Sequence, residues 1–179
     1  NSYSGPATVS GTVTLGNASA LGAGSGTDAD GTTVYAGGYL TTLANVTLAN
    51  EKITAAGGTL NLVTQGPVTV SADSLLQGTY NGAIDGSGAI TVAGATTFGG
   101  NNTFTGGLTV GPAANLTVAS PAALGNSPGP VNVNGGTLTL NTGDPGTVLS
   151  GRVTLTNGQL SGMATLTQAL IYSGNVLVG

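Results

Sequence analysis

Charge is what this sequence has least of. Only 4% of its 179 residues are charged, where an ordinary soluble domain carries about a quarter. Its two cations are Lys52 and Arg152, and the formal net charge is -4. Two cations cannot line a phosphate backbone, so nucleic acid is excluded as a partner. They cannot form a polybasic patch for anionic lipid either. No stretch approaches the roughly 18 apolar residues of a membrane helix, so direct membrane insertion is not expected. Cysteine, histidine and tryptophan are absent. That removes disulfides, thiolate metal sites and imidazole chemistry, and leaves the redox compartment open.

What is present is glycine, 33 residues of it, and a 39% share of hydrophobic residues. Disordered chains are poor in aliphatics and rich in charge; here the aliphatics are plentiful and evenly spaced. The pattern is apolar, small polar, apolar: Ile90-Thr91-Val92, Leu108-Thr109-Val110, Leu116-Thr117-Val118, Val131-Asn132-Val133 and Leu138-Thr139-Leu140. Each is a strand-sized alternation whose outer members share a face. Gly, Asn and Pro between the copies mark turns. Gly-Gly at 37-38, 57-58, 99-100, 106-107 and 135-136 is expected to turn the backbone with positive φ. Helix signals are weak.

The copies recur. Triplets begin at Val46, Val68, Ile90, Val131, Val153 and Val176, most of them 22 or 23 residues apart, with one gap of 41 spanned by Leu108. A second series begins at Leu116, Leu138 and Leu160, again every 22 residues. An antiparallel sandwich also has short strands and frequent turns, but gives no reason for a constant period. The expectation is an all-β chain, a parallel β-helix (β-solenoid) of roughly 22 residues per turn and about eight turns. At about 4.8 Å per rung it is roughly 40 Å long. Its inward column is expected to hold Val46, Val68, Ile90, Leu108, Leu116, Val131, Leu138, Val153, Leu160 and Val176. Residues 1–179 read as one domain, with no linker.

A longer repeat overlies the short one. NSYSGPATVS at 1–10 matches NTFTGGLTVG at 102–111, and GNASALG at 16–22 matches ASPAALG at 119–125. With Gly86-Ser87-Gly88, Ile90-Thr91-Val92, Gly94, Asn102 to Gly107, Leu116-Thr117-Val118, Ala123-Leu124-Gly125 and the Val131 to Leu140 continuation, the order of these pieces resembles the passenger-associated β-strand repeat of bacterial autotransporters. The resemblance implies a right-handed parallel β-helix displayed at the surface of a Gram-negative bacterium, in a large parent protein of the adhesin kind. It brings no catalytic residues with it.

The groups available for chemistry are Asp28, Asp30, Glu51, Asp73, Asp85 and Asp144, with the two cations. A polysaccharide lyase or glycosidase needs acids gathered on one face, and Lys52 and Arg152 lie 100 positions apart. No enzyme activity and no cofactor are expected. Asp28 and Asp30, in Gly24-Ser25-Gly26-Thr27-Asp28-Ala29-Asp30-Gly31, have the spacing of a calcium turn, but Asp30 stands where such repeats carry an aliphatic, and a protruding polar loop is the preferred reading. Tyr35 and Tyr39 flank a Gly-Gly turn and are the best candidates for stacking on a sugar; packing is the simpler role. Glu51-Lys52 reads as a solvated corner.

These readings lead to a non-enzymatic extracellular structural module, a stalk of a surface adhesin or a head-to-tail fibre subunit. The alternative is a carbohydrate-binding or polysaccharide-degrading β-helix. The partners expected are a host or matrix surface and further copies of the chain. The C-terminal IYSGNVLVG followed by the N-terminal NSYSGPATVSG repeats the plan of ITVAGATTFGGNNTFTGGLTVG. The chain is therefore expected to be cut from a longer coil or to stack end to end through unpaired strand edges.

Overall fold

The computed structural model describes residues 3–22, 24–120, 122–124, 129–141, 148–149, 152–162, 165–166 and 170–179. Every regular element among them is a β-strand, and every strand pairing is parallel. The alternation sets this up. In Ile90–Phe98, Ile90 and Val92 are buried while Thr91 between them faces water. A strand with one apolar face must cover it, and parallel strands wound into a coil cover it with the turns above and below.

The coil has three sides. The first stacks Ala7–Val9, Thr32–Tyr35, Ile53–Ala56, Val68–Ala72 and Ile84–Asp85. Backbone bonds from Thr103 N to Ile84 O and from Thr105 N to Gly86 O, 2.8 and 2.9 Å long, add a further rung there. The second side runs through Thr12–Leu15, Tyr39–Thr42, Thr59–Thr64, Ser74–Tyr80, Ile90–Phe98, Leu108–Val110, Val131–Asn134, Val153–Thr156 and Leu170–Ser173. The third uses the far halves of Thr59–Thr64, Ser74–Tyr80 and Ile90–Phe98, then Asn115–Val118, Thr137–Leu140, Gln159–Gly162 and Leu177–Val178. Ile90–Phe98 serves two sides because it bends at Gly94, whose φ is +58°, and its register to Ser74–Tyr80 shifts between Val92 and Thr96. Val148–Leu149 and Thr165–Leu166 form a separate parallel pair.

The fold class read from the sequence stands, and two of its details change. Turns carrying all three sides number about six, not eight. The 22-residue period holds only over the turns between Leu108 and Leu160. There Leu116, Leu138 and Leu160 stack in register, as do Val131 and Val153. The first turn is longer, Ala7 stacking on Thr32 25 residues on, and the middle turns are shorter: Val68 stacks between Ile53 and Ile84, 15 residues before and 16 after. Val46, Val68 and Ile90 therefore do not share a column. Val68 is on the first side, Ile90 is on the second between Ser74 and Leu108, and Val46 is buried in a connection outside the strands. Hydrogen-bond register, not chain interval, sets a column, and a change of side offset by a short turn imitates a full period. Val176 is also displaced: it is half-buried ahead of Leu177–Val178, and Val178 takes the place in register with Leu160.

The buried side chains form one continuous cluster from Val9 to Leu160. All ten of the residues assigned to the column belong to the buried or half-buried set. Midway, Tyr80, Phe98 and Phe104 stack edge to face, with ring centroids 5.9 and 6.4 Å apart. Asn102 lies inside as well: its side-chain oxygen accepts from Ile84 N at 2.8 Å and its amide donates to Ala123 O, which ties three successive turns. The glycine pairs divide by role. Gly37, Gly57 and Gly135 have positive φ, as expected, but neither member of 99-100 nor of 106-107 does. Gly100 and Gly106 are small for another reason: a Cβ at either would fall on the carbonyl oxygen of the glycine one turn below, Gly82 and Gly88.

Candidate functional site

The polar stretch between Leu21 and Thr32 holds most of the chemistry in the described residues. Gly, Ser and Asp there resist strand formation and bond locally instead. Asp30 accepts from Ser25 N at 2.8 Å and from Ser25 Oγ at 2.6 Å, so residues 25–30 close on themselves. Ser25 Oγ also lies 2.7 Å from Thr27 Oγ1, which accepts from Ala29 N. Asp28 points outward and pairs with Lys52, Nζ to Oδ1 2.7 Å. The two aspartates thus have separate partners. Among the described residues no three acidic side chains converge on one point.

Under this loop lies Glu51, and here the structure corrects the sequence reading. Glu51 is not a solvated corner; it is 4% exposed. Register places it there. Thr32 pairs with Ile53 and Ile53 with Val68, so the residues just before these strands stack too. Gly66, against whose missing Cβ the Glu51 carbonyl packs, leaves room on that side. Oε1 of Glu51 accepts from Thr32 Oγ1 at 2.6 Å. Oε2 is buried and has no hydrogen-bond partner among the described residues. Burial pushes the carboxyl above its ordinary range, the Thr32 hydroxyl pulls it down and nearby Asp30 pushes it up again. A recess of about 120 Å³ opens beside it, between Ala18, Ser19, Gly22 and Gly24 on one side and residues 49–51 on the other. The clue in the sequence was a glycine, Gly66, at the position stacked on the glutamate, but reading it required the register.

The other candidates lie apart. Tyr35 is exposed, but Tyr39 is half-buried and its hydroxyl accepts from Asn61 Nδ2 at 3.2 Å, so the two do not form one open aromatic surface. Tyr80 is wholly buried; its hydroxyl lies 2.9 Å from Gln77 O, and burial pushes its pKa well above the ordinary tyrosine range. Asp73 accepts from Ala89 N at 2.9 Å, across a turn. Asp85 and Arg152 are exposed, and Asp144 lies outside the described residues. Ile171, Tyr172, Leu177 and Val178 form an exposed apolar group on the last rung. Compared with family models, with curated proteins and with solved structures, the chain has no match.

Proposed function

We propose that this chain is a non-enzymatic structural rod, a β-helical stalk of the autotransporter-passenger kind displayed outside a Gram-negative cell and holding an adhesive part away from it. One observation carries this: nine parallel strands follow one another along the second side around a single hydrophobic cluster. Such a stack gains its stability from each turn covering the next, so it extends without needing a second layer. The order of short motifs shared with autotransporter passenger repeats supports the cellular setting. A fibre of copies stacked head to tail is the second reading, supported by the parallel pairing that continues rung upon rung along the second side. Analytical ultracentrifugation separates the two, since a stalk stays monomeric and a fibre subunit grows with concentration.

The carbohydrate alternative rests on exposed Tyr35 and is tested directly. On a glycan array and in a polysaccharide-cleavage assay, the rod is expected to show no specific binding and no turnover. Micromolar binding to a defined glycan, lost in Tyr35→Ala, overturns the structural reading.

A further inference from the structure

Glu51 occupies a place in which a carboxylate is poorly supported. It is enclosed by the loop above, the Thr32–Tyr35 strand beside it and the turn at 65–67 below. The ionisable groups on those elements are few. Asp30 faces it from the loop, Asp28 stands farther out, Tyr35 ends its strand on the surface, and the turn Gln65-Gly66-Pro67 has none. Lys52, its chain neighbour, has its ammonium on Asp28. Among the described residues an ionised Glu51 therefore has one like-charged neighbour, one hydroxyl donor and one buried oxygen with no donor.

We propose that Glu51 is a proton-operated latch for the loop 24–31: neutral, it lets the loop stay docked against the rung that carries it, and ionised, it drives the loop off. A neutral carboxyl has no charge to desolvate and no repulsion with Asp30. The ionised group gains water only if something covering it moves. The rungs on either side are tied by backbone bonds, Thr32 N to Lys52 O at 2.9 Å and Ile53 N to Pro67 O at 3.0 Å. The loop is held together by its own Ser25–Asp30 bonds, and the Asp28–Lys52 pair that ties it to the rung is exposed on the aspartate side, so it can leave as a unit. The sign of the linkage agrees. In the open state the carboxyl titrates in its ordinary range, and in the docked state higher. The docked state binds more protons between those two values, so docking is full at acid pH and is lost as pH rises through the upper one.

The test is an NMR titration of the whole chain from about pH 4 to about pH 8, spanning the carboxylate range and well above it. It follows the Glu51 side-chain carboxyl carbon and the amide protection of residues 24–31, corrected for intrinsic exchange. Loop protection is expected to fall at least about tenfold as Glu51 ionises, while Ile53–Ala56 amides hold. Glu51→Gln is expected to keep the loop protected throughout. Asp30→Asn, which leaves Glu51 in place, is expected to move the midpoint to lower pH, and serves if Glu51→Gln does not fold. Loop protection that is flat across the range overturns the latch. So does a Glu51→Gln loop that opens at the wild-type midpoint, or an Asp30→Asn midpoint that does not move.

Discussion

Replacing Phe98 by alanine tests the aromatic knot in the middle of the rod. The ring is fully buried and meets Tyr80 and Phe104 at interplanar angles of 83° and 70°. Removing a buried phenylalanine side chain costs about 3–5 kcal/mol, depending on how far the surroundings collapse. Two edge-to-face contacts are lost as well, each worth about 0.5–1.5 kcal/mol beyond buried area. Collapse is resisted here, because the strand is bonded on both sides, through Gly78 to Tyr80 and through Asn115 to Val118. The expected loss is therefore at the upper end, about 5 kcal/mol, a large part of the roughly 5–15 kcal/mol that holds a domain together. A stack of turns sums its stability from neighbour to neighbour, so the damage should be local first. Hydrogen exchange is expected to show protection lost in Ser74–Tyr80, Ile90–Phe98 and Asn115–Val118 before the outer rungs, and urea unfolding should move to a much lower midpoint. Tyr172→Ala, at a side chain 69% exposed, is the control and should be close to neutral. A loss below about 1 kcal/mol for Phe98→Ala refutes the packing argument, given the range for buried aromatics.

Other perturbations have equally definite outcomes. Ile90→Asp places an unpaired charge in the column and should cost several kcal/mol, on the order of 4; a wild-type melting temperature means Ile90 does not face inward. Gly106→Ala should cost at least about 2 kcal/mol because the new Cβ meets the Gly88 carbonyl, whereas Gly16→Ala, with open space around it, should stay within about 0.5; equal urea midpoints for the two contradict the close stacking. Lys52→Ala removes an ion pair whose aspartate is 82% exposed, and thermal melts should register less than about 1 kcal/mol. Chelation of calcium should shift the melting point by less than about 3 °C, since Asp28 and Asp30 have protein partners; a larger fall on adding chelator assigns them to an ion.

The parts of this molecule visible in its sequence are those fixed within a few residues. Ile90-Thr91-Val92 and Leu138-Thr139-Leu140 carry their inward faces in their own alternation, and both are buried as that alternation requires. What failed needs knowledge of which rung lies on which. Val46 and Val68 are 22 residues apart, the same interval as Leu116 and Leu138, yet only the second pair is stacked. Equal spacing cannot distinguish one long turn from a short turn plus a change of side. The same ignorance hid Phe98 and Phe104: Phe98 ends its strand and Phe104 lies outside any strand, so alternation does not relate them, and they meet because the chain turns a corner between them. Glu51 is the clearest case. Alone, Asn50-Glu51-Lys52 is as polar as any surface turn in this chain. Stacked, it has Thr32 on one side and the bare backbone of Gly66 on the other, and the glutamate is taken inside. Lys52, one residue later, points out to Asp28. In a coil of parallel strands a residue's environment is set by residues a whole turn away, and adjacent charged residues can end on opposite sides of the wall.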